Sequence, residues 1–104
     1  MTPTIIRFRN QNRVGELQRQ MPRYFFDLYN DMNVRDDEGQ EFPNLKTAKS
    51  QAVKQVRKLI GGLIVENGRI DLLHYLKVRD EEGNIVHRVE FDDAVSFERN
   101  GKPV

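Results

Sequence analysis

The stretch NLKTAKSQAVKQVRKLIGGLI, residues 44–64, decides the fold because its apolar side chains follow a helical period. They recur at steps of three and four residues, the spacing that places side chains on one side of an α-helix. Asn44 suits the N-cap and Gly68 suits the C-terminal end, while the pair Gly61-Gly62 predicts that the last turns fray or bend. The predicted helix must bury a stripe made of Leu45, Ala48, Ala52, Val56, Leu59 and Leu63.

Extended segments flank this helix on both sides. Upstream, RYFFDLY (23–29) alternates like a strand, and VRDDEGQEF (34–42) returns as a second, interrupted strand. Downstream, residues 73–79 and 84–91 predict two further strands joined by the hairpin turn DEEG. The order predicts an α+β domain, β-β-α-β-β, with an antiparallel sheet and one amphipathic helix packed on one face.

Two acidic stretches resemble each other, VRDDEG at 34–39 and VRDEEG at 78–83. Acidic residues followed by Gly are typical of turns, because Gly adopts the positive φ that a tight turn needs. Contiguous carboxylates point to alternate sides of an extended chain and converge poorly on a metal ion. We interpret both stretches as turns, either convergent or left from an ancient hairpin repeat. Alternatively, NDMN (30–33) makes the first turn, and DDEGQE forms a bulge or a short strand before the helix.

Composition restricts the class of protein. The chain has 104 residues, enough for one small domain, and its 38% hydrophobic and 32% charged residues are typical of a folded polar domain. It contains no Cys, which excludes disulfides and zinc sites that use Cys and favours a cytoplasmic location. No apolar run reaches the length of a membrane span.

Charge and periodicity divide the chain into three parts. Residues 1–20 carry four arginines against one glutamate and show no sustained period, so we expect a flexible N-terminal extension, with Met21 as a natural start. The alternative is an ordered N-terminal arm. A single α+β domain is predicted for residues 21–97, and a polar C-terminal tail for 98–104.

The residues that most often perform catalysis have no suitable context here. His74 and His87 lie in predicted strands, where packing across strands is the ordinary role, and neither Ser50 nor Ser96 has the surroundings of a nucleophile. The carboxylates fall in turns, where water keeps them ionised, whereas general acids need a desolvated site. We therefore predict no enzyme activity, no cofactor and no metal site.

A basic face of the helix is one candidate binding surface. Its cations could contact the phosphates of a nucleic acid or an acidic protein partner, although a charged helix face is ordinarily just solvated. The residues concerned are Lys46, Lys49, Lys54, Arg57 and Lys58.

Aromatic residues outside the helix are the second candidate. One helix covers only one side of four strands, so aromatic side chains on the other side predict a homodimer interface unless the tails cover them. The predicted dimer face consists of Phe25, Tyr29, Tyr75 and Phe97.

Three segments carry a resemblance to a known family: MPRYFFDLYND (21–31), DDEGQEFPNLKTAKSQAVKQ (36–55) and VRDEEGNIVHRVEFDDAV (78–95). Together they resemble a family of short, uncharacterised bacterial proteins, a domain of unknown function. The resemblance implies no catalytic residues and supports Met21 as the usual start. FPNLKTAKSQA (42–52) is also faintly similar to HicB-type antitoxins, which implies a role in toxin binding or regulation.

These observations together predict a non-enzymatic interaction domain that self-associates. The alternative is a nucleic-acid-associated or antitoxin-like regulator that uses the basic helix face.

Overall fold

The computed structural model describes residues 21–104, so the predicted flexible extension, residues 1–20, lies outside the described residues. Four strands form an antiparallel sheet in the order β2-β1-β3-β4. Their bounds are Arg23–Tyr29 for β1, Gln40–Glu41 for β2, Tyr75–Arg79 for β3 and Ile85–Glu90 for β4. Helix α1, Leu45–Asn67, connects β2 to β3. The predicted α+β class is confirmed.

Helix α1 begins and ends where its capping residues predict. The Asn44 side chain accepts a hydrogen bond of 2.8 Å from the Thr47 amide, and Gly68 at φ 70° closes the last turn. The interruption predicted at Gly61-Gly62 is wrong, because the helix runs unbroken to Asn67. Its sheet-facing side stays packed on the core through this region, which holds the glycine pair in helical conformation. Within residues 21–104, no helix is both long and apolar enough to cross a bilayer.

The core lies between α1 and one face of the sheet. The helix contributes part of the predicted stripe as fully buried side chains, and the other stripe residues, Leu45, Leu59 and Leu63, pack partly buried around them. The sheet contributes the alternate side chains of β1, β3 and β4, which is the period expected of strands covered on one side. The buried apolar side chains are Tyr24, Phe42, Ala48, Ala52, Val56, Ile60, Leu76, Val78, Val89, Phe91 and Ala94.

The loop between β1 and β2 completes one edge of the sheet. β2 pairs only with the start of β1. Farther along, Leu28 and Val34 exchange backbone hydrogen bonds of 2.8 Å, and the Asp36 carboxylate accepts a bond of 3.0 Å from the Phe26 amide. The turn itself is NDMN, in which the Asn30 side chain accepts bonds from two following amides. The alternative with NDMN as the turn is therefore the observed one. At the opposite edge, no described residue pairs with the outer side of β4.

The chain ends in two small elements. A short helix α2, Phe91–Ala94, follows β4 directly, and β5, Glu98–Arg99, pairs with β6, Lys102–Pro103. Residues 98–104, predicted as a polar tail, are exposed throughout and contain this hairpin. The Val104 amide donates a bond of 3.0 Å to the Phe97 carbonyl, which brings the end of the chain back beside Phe97.

Candidate interaction surfaces

A buried ion pair joins the open face of the sheet, the face opposite α1, to the loop after β1. Asp27 is 3% exposed and accepts two bonds from the Arg79 guanidinium, 2.6 Å from Nε to Oδ2 and 3.2 Å from Nη2 to Oδ1. Arg79 Nη2 also donates to the Asp36 carbonyl at 2.9 Å, while the Asp36 amide donates to Asp27 Oδ1 at 2.9 Å. Such full hydrogen bonding is the condition under which buried charges are tolerated.

These contacts shift the pKa of both partners. Burial acts to raise the pKa of the Asp27 carboxyl, but hydrogen bonds from Arg79 and the Asp36 amide, with the charges of Arg79 and Arg35, leave it below its ordinary value. The hydrogen bond to Asp27 raises the pKa of Arg79. Both groups stay ionised at neutral pH, so the pair acts as a structural clamp between β1, β3 and the loop.

The second acidic stretch forms the hairpin turn between β3 and β4. Asp80 Oδ1 accepts bonds of 2.9 Å from the amides of Glu82 and Asn84, and the Asp80 amide donates to the Asn84 carbonyl at 2.9 Å. These bonds, led by the one from the Asn84 amide, lower the pKa of Asp80. All of the partners belong to the turn itself, so this structure is local.

Three flat groups lie in a row across the open face. Tyr29 of β1 and Tyr75 of β3 are paired across the strands, and their rings stack with centroids 5.0 Å apart and an interplanar angle of 11°. The Arg88 guanidinium carbon of β4 lies 3.5 Å from the Tyr75 centroid, and Arg88 also pairs with Glu90. The Lys77 ammonium is 5.0 Å from the Tyr29 centroid and 5.8 Å from that of Tyr75. We call Tyr29, Tyr75, Lys77 and Arg88 the open-face stack.

Phe25 lies on the same face, but its ring packs against other residues of the domain. The Arg79 guanidinium lies 4.7 Å from its ring centroid, and the ring edge packs against the backbone of Gly39. Of the four residues predicted for a dimer face, Tyr29 and Tyr75 are therefore in contact, and Phe25 lies beside the ion pair.

Phe97, the fourth predicted dimer residue, belongs to a different surface. It lines a surface cavity of about 250 Å³ beside the end of α1 and a second of about 520 Å³ beside the C-terminus, and Leu72 is shared by both. Phe97 is 46% exposed and Val104 is 76% exposed. The apolar end surface, as we name it, consists of Ile64, Ile70, Leu72, Phe97 and Val104.

The five basic residues of α1 do not form one stripe. Arg57 donates from Nε to the Ala94 carbonyl at 2.7 Å and so closes the end of α2. Lys49 lies half-buried near His87, whereas Lys46 is exposed near the start of the helix. Lys54 and Lys58, spaced one turn apart, lie exposed on the side away from the sheet. The structure therefore leaves a pair, rather than a row, of outward cations.

Both histidines pack within the domain. His87 faces Val78 across the strands, and burial together with the charge of Lys49 lowers its pKa. The His74 ring meets Phe91 edge-on at 5.6 Å, and its Nε2 lies 3.5 Å from an Asp71 oxygen and 3.6 Å from an Asp31 oxygen.

Sequence reasoning missed several of these residues. The Asp27–Arg79 pair had a signal, because an acidic residue interrupts an otherwise apolar and aromatic strand. Val65 and Leu73 are 82% and 80% exposed and adjoin Ile64 and Leu72 in sequence. The only sequence signal for them was that neither falls at a position where the helical or strand period predicts burial. Val104 had no sequence signal, since only the terminal hairpin places it near Phe97.

Comparison with known proteins gives one match. The sequence model of a family described as a domain of unknown function (DUF6894) matches residues 23–92, more than half of the chain, from the start of β1 into α2. No curated protein and no solved structure matches. The predicted resemblance to an uncharacterised family is confirmed, and the fainter similarity to HicB-type antitoxins is not.

Proposed function

The chain belongs to this family of unknown function, and we propose that it is an interaction domain that acts by binding rather than by catalysis. Its partner is a second copy of the same chain, bound through the apolar end surface. That surface is the same on both copies, so a two-fold arrangement can bury it on each at once.

The observation that carries this proposal is the contiguity of exposed apolar side chains at one end of the domain. Ile64, Phe97 and Val104 are each exposed by 45% or more, and two cavities that share Leu72 connect them. Contiguous apolar surface of this kind marks interaction sites on soluble proteins. A domain of this size buries only about 60–65% of its unfolded surface, so covering more apolar area adds to a thin margin of stability.

Binding rather than catalysis is supported by the causes of the shifted pKa values. The shift at Asp27 follows from its clamp with Arg79, and that at Asp80 from the turn it closes. The shift at His87 follows from burial beneath the helix near Lys49. Each perturbed group therefore has a structural explanation.

Sedimentation velocity of the full chain tests the proposal. We expect the wild-type chain to sediment as a dimer at micromolar concentration and Phe97→Asp to sediment as a monomer, because a charge at the centre of an apolar interface stays unpaired and desolvated. The matched control is Ile85→Asp, which changes a side chain that is 50% exposed at the start of β4, paired with Arg79 at the end of β3 far from Leu72.

A monomeric wild type contradicts the proposal, as does a Phe97→Asp variant that stays dimeric. Circular dichroism shows whether each variant is folded. Should Phe97→Asp unfold, Val104→Asp provides the same test at a residue with 76% exposure and little packing to lose.

Lys54 and Lys58 favour a second candidate function, association with nucleic acid and a regulatory, antitoxin-like role. Among the described residues, neither has a carboxylate within ion-pair distance, so both charges are free for a polyanion. Duplex DNA binding at about 50 mM salt that Lys54→Glu/Lys58→Glu abolishes supports this candidate, and its absence removes it.

A further inference from the structure

We propose that the open face of the sheet binds single-stranded nucleic acid through the open-face stack. Bases stack beside Tyr29, Tyr75 and Arg88, and Lys77 contacts a phosphate. This site is separate from the apolar end surface and does not rest on self-association.

The stack faces away from the helix. Leu28 and Leu76 pair across β1 and β3 and pack in the core, so the neighbouring side chains, Tyr29 and Tyr75, point to the opposite side. Both tyrosines remain half-buried rather than covered. Within residues 21–104, the Asp36 loop packs over the Asp27–Arg79 end of this face, and α1 lies on the other side.

The row of flat groups offers stacking surfaces at its two ends, because Tyr29 covers one face of the Tyr75 ring and Arg88 covers the other. Two rings from the central strands stand parallel, and the Arg88 guanidinium extends the row onto a third strand. Bases stack on aromatic rings and on guanidinium planes, and this contact tolerates any base because each has a π-face. The arrangement therefore predicts binding with weak sequence preference.

Charge on the face favours a polyanion. Arg79 neutralises the buried Asp27, so this carboxylate does not repel a phosphate. Glu90 pairs with Arg88, but among the described residues Lys77 has no carboxylate within ion-pair distance. Lys77 therefore supplies a free positive charge directly above the two rings.

Other occupants fit this face less well. A second copy of the chain would bury two Lys77 charges, one from each copy, in one two-fold interface, and neither has a carboxylate partner among the described residues. Duplex nucleic acid keeps its base faces stacked inside the helix, where the tyrosines cannot reach them. Single strands satisfy both the rings and the cation.

Fluorescence anisotropy with a labelled oligothymidine and a labelled oligouridine, each of about 12 nucleotides, tests the site. We expect the full chain at about 50 mM salt to bind both and to lose affinity as salt increases. Tyr75→Leu, which keeps apolar bulk but removes the ring that holds Tyr29 and Arg88 in one stack, should weaken binding by about 10- to 100-fold. Lys77→Glu should weaken it and reduce the salt dependence.

Matched controls separate this face from the others. Phe97→Leu removes an aromatic ring from the apolar end surface, and Lys102→Glu reverses an exposed charge in β6 of the terminal hairpin; both should leave affinity unchanged. The monomeric variant Phe97→Asp should bind as wild type does, so failure of the self-association proposal does not affect this one.

Several results would overturn the inference. They are no binding at about 50 mM salt, duplex DNA bound as tightly as the single strands, or Lys102→Glu matching Lys77→Glu in effect. Loss of self-association in Tyr75→Leu without any binding of single strands identifies the face as a protein interface instead. If Tyr75→Leu unfolds, Tyr29→Leu removes the other ring of the stack.

Discussion

VRDDEG at 34–39 and VRDEEG at 78–83 share five of six letters but hold different positions in the domain. In both, the first acidic side chain accepts bonds from amides that follow it, and the glycine has a positive φ, 69° at Gly39 and 89° at Gly83. In the first stretch, Asp36 also bonds to β1 and to the Asp27–Arg79 pair. In the second, the contacts of the acidic residue Asp80 stay within the turn.

Two turns with nearly the same sequence can therefore contribute differently to the free energy of unfolding. The acidic turn of the second stretch, residues 80–83, only reverses the chain between two strands, and water can replace its bonds. The first serves as a substitute strand at the edge of β1 and covers a buried charge. The two stretches also touch, since Arg79 of the second donates to the Asp36 carbonyl of the first.

The equivalent arginines should show the largest difference. Replacing Arg79 by Met leaves Asp27 as an unpaired buried charge, so we expect a loss of about 3–5 kcal/mol in the free energy of unfolding. Arg35→Met removes an exposed side chain near Asp37 and should change it by less than about 1 kcal/mol. Urea denaturation followed by circular dichroism measures both.

The double variant Asp27→Leu/Arg79→Met sharpens this test. It removes both charges together, so it should be more stable than Arg79→Met alone. A double variant that is less stable than the single variant would contradict the claim that the unpaired carboxylate causes the loss.

Alanine substitutions at the two glycines, Gly39 and Gly83, should show the second-largest difference in stability. A Cβ at Gly39 would lie 2.7 Å from the Phe25 ring and 2.8 Å from the Tyr24 carbonyl oxygen, whereas a Cβ at Gly83 meets nothing within 4 Å. Both alanine variants bear the cost of a positive φ, about 1–2 kcal/mol, and Gly39→Ala adds an overpacking cost of about 1–3 kcal/mol. Thermal unfolding of the two variants should therefore rank Gly39→Ala well below Gly83→Ala; equal melting temperatures would refute the packing difference.

The first acidic residues of the two stretches should differ by less. Asp36→Ala leaves the Phe26 amide at the sheet edge and two loop amides without an acceptor, for which we expect a loss of about 2–3 kcal/mol. Asp80→Ala exposes amides to water in the turn, which can replace the lost acceptor, and should cost less. Hydrogen exchange offers a direct check, because the Phe26 amide should lose protection only in Asp36→Ala.

The smallest difference between the two stretches is expected in how the free energy of unfolding depends on pH in acid. Because the folded pKa of Asp27 lies below its unfolded value, its contribution to stability is present above pH 3.8 and is lost as pH falls through the lower folded value. In Asp27→Asn, the free energy of unfolding should change less over this range than in wild type. Because the folded pKa of Asp80 is lowered as well, Asp80→Asn should also reduce the acid dependence, but by less, since water screens charges in an exposed turn; the opposite ranking would place the more acid-sensitive group in the second stretch.

Periodicity and capping residues were sufficient to predict α1, the strands β1, β3 and β4 and the packing of the helix on one face, whereas the strand predicted at 34–42 is reduced to β2, Gln40–Glu41. They act over a few neighbouring residues, and the sequence states them directly. The clamp between Asp27 and Arg79 depends on the register between β1 and β3, which brings together residues 52 positions apart. The regrouping of Phe97 with Ile64 depends on where the terminal hairpin folds back. Such contacts depend on tertiary placement, which the local pattern does not contain.

The two edges of the sheet differ in whether a further strand can pair with them. Along β1, the Asp36 loop and the short β2 occupy the backbone groups that another strand would need. Along β4, the outer backbone groups of the described sheet are available. Among the described residues, an added strand would therefore pair along β4, because the acidic loop and β2 already occupy the edge at β1.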